Sequence, residues 1–428
     1  MKILLLDGET NAAVACVRSL AKAGHEVTVG SANRWVWCKA ARSRFAYASF
    51  KYPDPLVELE QFVDSIMSQI ERCCQRPIFL LPATEPTMLV VSGARERLQA
   101  AGSIMVIPPH AKLVTACSKQ EMTMLASSLG IRTPRTICIE QPQLAAQMAQ
   151  DLQYPVVLKC HSSQQILPDN HVVMTPKPRY ARNPAEFLDA HRQLSGACGP
   201  ILAQEFIHGR GVGYFTLMRH GELRAEFAHL RIREADPSGS GSSLRIGIAV
   251  PTAVREAGLL LLRELKWHGV AMVEFRVQQD GTPVFLEVNP RFWNSLALAV
   301  YSGIDFPALL VAMAEHGDVA PQLEYRTNVR CRWLLGDFIH LLKVWSGAPA
   351  GYPGTYPTRL GTLLKLMVPV PGTMHDNFTF DDPLPEIADW ITVGAHFCKK
   401  RLMKGRTSSN LHDASQLAEM PTKAEQPN

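Results

Sequence analysis

Apolar and polar positions over the first 115 residues follow two rhythms. The runs "KILLLDG", "EVTVGS", "PIFLLPATEP" and "SIMVIPP" are apolar nearly throughout, as in short strands covered on both faces. Between the first two, "TNAAVACVRSLAKAGH" repeats apolar residues at helical spacing and closes on Gly24. This alternation predicts a parallel sheet with crossover helices. From 116 to 193 the pattern is mixed. "SKQEMTMLASSLG" and "PQLAAQMAQDL" read as helices, "RTPRTICIE" and "YPVVLKC" as strands, 161–180 as polar loop, and a helix begins near Asn183-Pro184. From 194 to 320 the strands "PILAQEFI", "GYFTLMR" and "ELRAEFAHLRIRE" precede the loop "DPSGSGSS" and the helix "TAVREAGLLLLRELKWHG". Residues 321–405 read as mostly helical with Pro/Gly-rich breaks, and 406–428 as a polar, disordered tail.

A hairpin near the end of the third segment carries the sharpest pattern. "GVAMVEFRVQ" and "PVFLEVNPRFWNS" flank "QDGT", and Asp-Gly is a strong signal for a two-residue turn. With Asp280-Gly281 as the turn, Glu274 faces Glu287, while Val277–Val284, Phe275–Leu286 and Val273–Val288 form an apolar face. Phe285, Glu287, Asn289 and Arg291 then share the other face. Facing carboxylates roughly 4.5–5.5 Å apart at Cβ destabilise a sheet unless a proton or a cation lies between them. Asn289 adds a neutral oxygen, and an oxygen donor set suits a hard cation such as Mg²⁺. Arg291, one step further, is placed to neutralise an anionic transition state. The competing reading is a surface hairpin whose acids pair with nearby lysines.

Bulk properties narrow the class. The 428 residues are 46% hydrophobic and 19% charged, as in an ordinary globular chain of two to four structural units. A net charge of +5, from 44 basic and 39 acidic residues, does not call for a nucleic-acid partner. Ten cysteines with no C-x-x-C argue against a zinc site and a disulfide framework, and suit a reducing compartment. The opening apolar run is too short for a signal peptide and no long apolar run follows, so the expectation is a cytoplasmic protein with no transmembrane segment. The first strand runs into "DGETN" without G-x-G-x-x-G, which disfavours a dinucleotide site.

"VEFRVQQDGTPVFLEVNPRFW" resembles the metal-binding hairpin of the ATP-grasp superfamily, mainly ATP-dependent carboxylate–amine ligases. The likeness covers about 116–310, and the leading segment is similar to that superfamily's pre-ATP-grasp domain. The fold it implies is α/β and α+β: a Rossmann-like pre-ATP-grasp domain (1–115), lobe A (116–193), lobe B with the hairpin (194–320) and the helical C-terminal region (321–405). The resemblance implies that Glu274, Glu287 and Asn289 hold one or two Mg²⁺ (or Mn²⁺) ions and that Arg291 contacts the phosphoryl group or acylphosphate. It implies Lys159 and Lys119 on ATP phosphates, and Glu205, Phe206 and Ile207 around adenine. Taken as residues alone, Lys159 could snorkel, Lys119 could be an exposed lysine in a helix capped by Ser118, and Glu205 could guard an edge strand.

"FAHLRIREADPSGSGSSLRIG" resembles a stretch of predicted ATP-dependent carboligases. Its Arg231, Arg233 and Arg245 would suit an acidic substrate, although alternating arginines also protect edges. One departure stands out: after Lys159 the chain reads "CHSSQQILPDNH", without the glycines of the usual phosphate loop, leaving Ser162 and Ser163 as donors. "CKKRLMKGR", 398–406, reads as a basic helix end or an anionic-surface contact. The expected function is an ATP- and Mg²⁺-dependent ligase joining a small-molecule carboxylate, activated as acylphosphate, to an amine. The alternatives are a non-catalytic ATP-binding regulatory module, or a kinase or carboxylase-type enzyme of the same superfamily.

Overall fold

The computed structural model describes residues 1–395, apart from 33–36, 74, 162–163, 167–171, 198–199 and 369. Ser162, Ser163, the basic run 398–406 and the tail lie outside the described residues.

Strands β1 (Lys2–Leu5), β2 (Glu26–Ala32), β3 (Ala48–Tyr52), β4 (Ile78–Leu81) and β5 (Ser103–Ile104) pair in parallel, in the order 3-2-1-4-5. The four buried ones follow the apolar runs. β3 was not expected, because as a largely exposed edge strand it carries no apolar pattern. Helices α1 (Asn11–Lys22), α2 (Leu59–Glu71), α3 (Glu85–Gly93) and α4 (Arg95–Ala100) form the crossovers. Thr10 caps α1 by accepting from Ala13 N, and Gly24 turns the chain out at φ +87°. Strand order reverses between β1 and β4, which opens a crevice at their carboxyl ends. Helices α5 (His110–Cys117) and α6 (Lys119–Ser128) lead onward.

Lobe A comprises β6 (Thr136–Ile139), α7 (Ala145–Asp151), β7 (Val156–Cys160), the hairpin β8 (Gln164–Ile166) and β9 (Val172–Met174), β10 (Arg179–Ala181), α8 (Pro184–Ser195) and β11 (Ile201–Glu205). Its antiparallel sheet runs β10-β7-β11-β6, so β11 belongs to this sheet although it follows residue 193. A separate small core of Leu158, Phe187, Leu194 and Ile201 holds the lobe together. Part of the stretch expected as polar loop is thus the β8–β9 hairpin.

Lobe B is a seven-stranded sheet of β12 (Arg210–Arg219), β13 (Glu222–Asp236), β14 (Ser240–Ile248), β15 (Gly269–Val277), β16 (Pro283–Asn289), β17 (Arg330–Arg332) and β18 (Thr373–His375), ordered β16-β15-β12-β13-β14-β17-β18. Helices α9 (Thr252–Glu264), α10 (Leu296–Ser302), α11 (Phe306–His316), α12 (Leu334–Ser346) and α13 (Arg359–Met367) accompany it. Half of the expected Gly/Ser loop is strand β14, and two strands of the C-terminal region extend the sheet. Two large cores join this lobe to the leading domain. One gathers Leu5, Val17, Phe79, Phe215, Trp293 and Phe306, the other Leu6, Ile66, Leu80, Tyr214, Trp267 and Phe285. No single helix among the described residues is long and apolar enough to cross a membrane.

The C-terminal segment fastens these parts through buried carboxylates. Asp382 takes Arg18 of α1 at 2.8 Å, Asp389 takes Lys39 at 2.9 Å, and Asp376 takes Arg245 of β14. Among the described residues six cysteines are free thiols and Cys160 is disulfide-bonded, one exception to the reduced cysteines that the spacing suits.

Candidate active site

The hairpin pairs Glu274 with Glu287 and Val273 with Val288, as the apolar face required. Nearer the turn the register differs from expectation. Leu286 is an extra residue, so Phe275 faces Phe285 and Val277 faces Pro283. Only Gly281 has positive φ, and Gln278 N donates to Thr282 O at 2.9 Å, closing a loop longer than the two-residue turn. The bulge has a physical cause. Strict alternation would have put Phe285 on the polar face; with Leu286 bulged, Phe285 joins Phe275 in the core, rings edge-on at 6.1 Å. Glu287 keeps its place beside Glu274.

Neighbouring strands supply what surrounds the acids. Gly213 of β12 lies opposite both Glu274 and His229, and Gly211 lies opposite Arg276. With no side chains there, Arg231 of β13 reaches over β12 and meets Glu274 at 2.7 Å; a Cβ at Gly211 would sit 3.0 Å from its Cδ. Asn289 donates to Glu287 at 3.2 Å and accepts from Arg291 at 2.8 Å. Two carboxylates and an amide oxygen match the donor chemistry of Mg²⁺, and Arg231 orients one carboxylate from behind. Among the described residues no group of three or more His, Cys, Asp or Glu is placed to hold a metal, so further ligands would come from phosphates and water.

Two lysines arrive from the other elements. On β7, Val156 and Leu158 point into the lobe A core, so Lys159 takes the opposite face. Lys119 opens α6, which packs on β16. Both act on Glu287: burial raises its pKa, but Lys119, Lys159, the Asn289 hydrogen bond and Arg291 outweigh burial and leave it below the usual value. Lys159 is lowered to about 8, first by burial and then by Lys119, against the pull of Glu287 and Glu274. Its cation is therefore present below pH 8 and lost above. We expect affinity for a polyphosphate anion to fall as pH rises through about 8. Lys159→Arg should shift that fall to higher pH, and titrations of tripolyphosphate into both proteins across pH check it.

Glu205 pairs with Val156, three residues from Lys159, or about 10 Å along the strand. Phe206 lies in an aromatic group with Tyr180, His208 and Tyr352, at 6.1, 4.9 and 5.8 Å between rings. Glu205 accepts from Arg135 N at 3.2 Å, and Phe206 N donates to Pro155 O at 3.1 Å; half-buried Ile207 follows them. The expected substrate arginines separate. Ile232 bulges out between Arg231 and Arg233, so the pair does not form one row. Arg233 binds Asp337 at 2.6 Å, and Arg245, 1% exposed, is held by Asp376. Both are spent on the C-terminal segment, and only Arg231 joins the acids.

A cavity of about 430 Å³ lies between the hairpin and the crevice of the leading sheet. Lys119, Glu287, Asn289 and Arg291 form one wall; Asp7, Glu9, Thr84 and Glu85 form the other. Asp7 bridges the strand ends, accepting from Ala83 N, Thr84 N and Thr87 Oγ1. Burial and Glu287 raise Glu85, while Arg291 and Lys119 oppose them. Sequence reasoning passed over Asp7, Glu85, Tyr180 and Tyr352. Acids at the ends of buried strands, in "LLDGE" and "LPATEP", were the available signal for the first two.

A family model described as "ATP-grasp in the biosynthetic pathway with Ter operon" matches residues 216–336. A search of curated protein sequences returns no match. Solved structures match over most of the chain. An L-amino acid ligase from Bacillus licheniformis is similar at TM-score 0.55 and 19% identity, covering 74% of each chain. The biotin carboxylase domain of Hydrogenobacter thermophilus 2-oxoglutarate carboxylase, solved with MgADP, ADP and bicarbonate, reaches 0.59 at 14% identity, covering 77% of this chain and 73% of that one. N5-carboxyaminoimidazole synthetase from Staphylococcus aureus, complexed with ADP, reaches 0.57 at 12% identity, covering 77% and 80%. The sequence match spans the strands that carry Arg231, Glu274, Glu287 and Asn289, and the fold match spans the lobes and the leading domain: residues 216–336 match an ATP-grasp family, and the chain shares the fold of these three enzymes.

Proposed function

We propose that the protein is an ATP- and Mg²⁺-dependent ligase that activates a small-molecule carboxylate as acylphosphate and joins it to an amine. One observation carries this reading: Glu287, paired across the hairpin with Glu274, lines a cavity together with Asn289, Arg291 and Lys119, and that cavity reaches the switch point of the leading sheet. ATP would lie along β7, with adenine at Glu205, Phe206 and Ile207 and phosphates at Lys159 and Lys119. Glu274, Glu287 and Asn289 would hold the divalent ion, which supplies charge neutralisation between the phosphates. Arg291 would bind the γ-phosphoryl group as it passes to the carboxylate. The self-contained core of lobe A suits a lobe that closes over the site and excludes water from the acylphosphate.

A kinase or carboxylase-type enzyme would use the same acids and differ in its acceptor. The acidic wall at Glu9 and Glu85 favours an amine, as it suits a cation and repels bicarbonate. A regulatory nucleotide module has no use for the cavity beyond Arg291. Trapping with hydroxylamine separates these readings. Incubation with MgATP, hydroxylamine and a panel of carboxylates should give a hydroxamate and ADP in equal amounts. ADP binding without hydroxamate or ADP release on any carboxylate would favour the regulatory module.

A further inference from the structure

The cavity at Arg291 does not end at its acidic wall. A second space of about 810 Å³ adjoins it between α2, α3, α5 and α6, and Glu85 and Cys117 line both. Pro55, Leu56 and Pro86 form the rest of the shared neck. Beyond that shared lining the surface is mainly apolar, with Leu59, Leu89, Val114 and Met124 beside Glu60, Glu121 and His110, and Val114 and Met124 are 46% and 64% exposed. The one arginine there, Arg97, is already paired with Glu60 and Asp64. A polar chamber and a mainly apolar groove thus adjoin at a shared neck that carries the Glu85 carboxylate.

We infer that the acceptor is a primary amine with an apolar substituent, its ammonium held by Glu85 at the neck and its tail lying in the groove between α2, α3, α5 and α6. This rests on the ligase reading above. Two features select this occupant. The wall across from Arg291 and Lys119 is acidic, so a carboxylate is directed to the basic side and an ammonium to Glu85. The groove also borders the reaction chamber, the two sharing Pro55, Leu56, Glu85, Pro86 and Cys117, so an amine at Glu85 has the groove beside it for its tail.

Isothermal titration with n-alkylamines from butyl to octyl, with the matching alcohols as uncharged controls, tests this without knowledge of the carboxylate. Affinity for the amines should rise about fourfold per methylene, the factor that burial of one CH₂ supplies. Glu85→Gln should weaken the amines tenfold or more and leave the alcohols unchanged. Val114→Glu, at an exposed position, should remove the dependence on chain length. Flat affinity along the series on the unmodified protein, with hydroxamate still formed, overturns the inference and leaves the ligase reading in place. Tail-dependent binding with no hydroxamate on any carboxylate overturns the assignment of the groove to an acceptor.

Discussion

Replacing Glu287 with glutamine is expected to lower carboxylate-dependent ATP turnover about a thousandfold or more while the chain stays folded. The side chain is isosteric and can still accept from Asn289, so the local hydrogen bond survives. What disappears is the second anionic oxygen donor beside Glu274 and the anion that Lys119, Lys159 and Arg291 share. Charge stabilisation of that kind contributes several kcal/mol, and about 4 kcal/mol corresponds to roughly a thousandfold in rate. Coupled ADP-release assays, with circular dichroism on the same samples, check both halves. Turnover within about tenfold of the unmodified protein would remove the metal assignment.

The second large effect is on stability. Asp382→Ala should destabilise the protein by about 3–5 kcal/mol, because removing one partner strands a buried charge. Asp382 is 2% exposed and receives Arg18 Nε at 2.8 Å, Ser43 Oγ at 2.6 Å and Arg44 N at 2.9 Å. Arg18 is also bound by the carbonyls of Asp376, Asn377 and Asp382, so it cannot turn to solvent. Denaturant midpoints would show the loss. The exposed pair Arg97–Glu60 is the control, and Glu60→Ala should leave the midpoint unchanged. Equal midpoints for the two variants would mean that the C-terminal segment is not fastened as described.

How much of this was legible depends on the range of the interaction. The leading sheet and the Glu274–Glu287 pairing follow from local apolar rhythm, which one chain segment carries by itself. The bulge at Leu286 was not legible, since it arises from the fit of Phe285 against Phe275 and the core behind them. Arg233 and Arg245 read as substrate contacts in the sequence because their partners, Asp337 and Asp376, lie more than a hundred residues away. Arg231 stands out in the sequence, but its position beside the acids does not. Its reach to Glu274 passes Gly211 on the strand between, and "RGVGYF" hints at that only once the strand order is known. The acidic wall escaped notice for a similar reason: Glu85 meets Arg291 only after the two domains share a core.

Everything catalytic in this account depends on a divalent ion, brought with nucleotide, lying between two β-strand carboxylates. Electron paramagnetic resonance of Mn²⁺ titrated into the protein with ADP measures that ion directly. The account predicts Mn²⁺ held in the presence of ADP by the unmodified protein and lost in Glu287→Gln, with ADP still bound through Lys159 and the aromatic group at Phe206. Mn²⁺ held equally well by the variant, or ADP binding that the metal leaves unchanged, would contradict it.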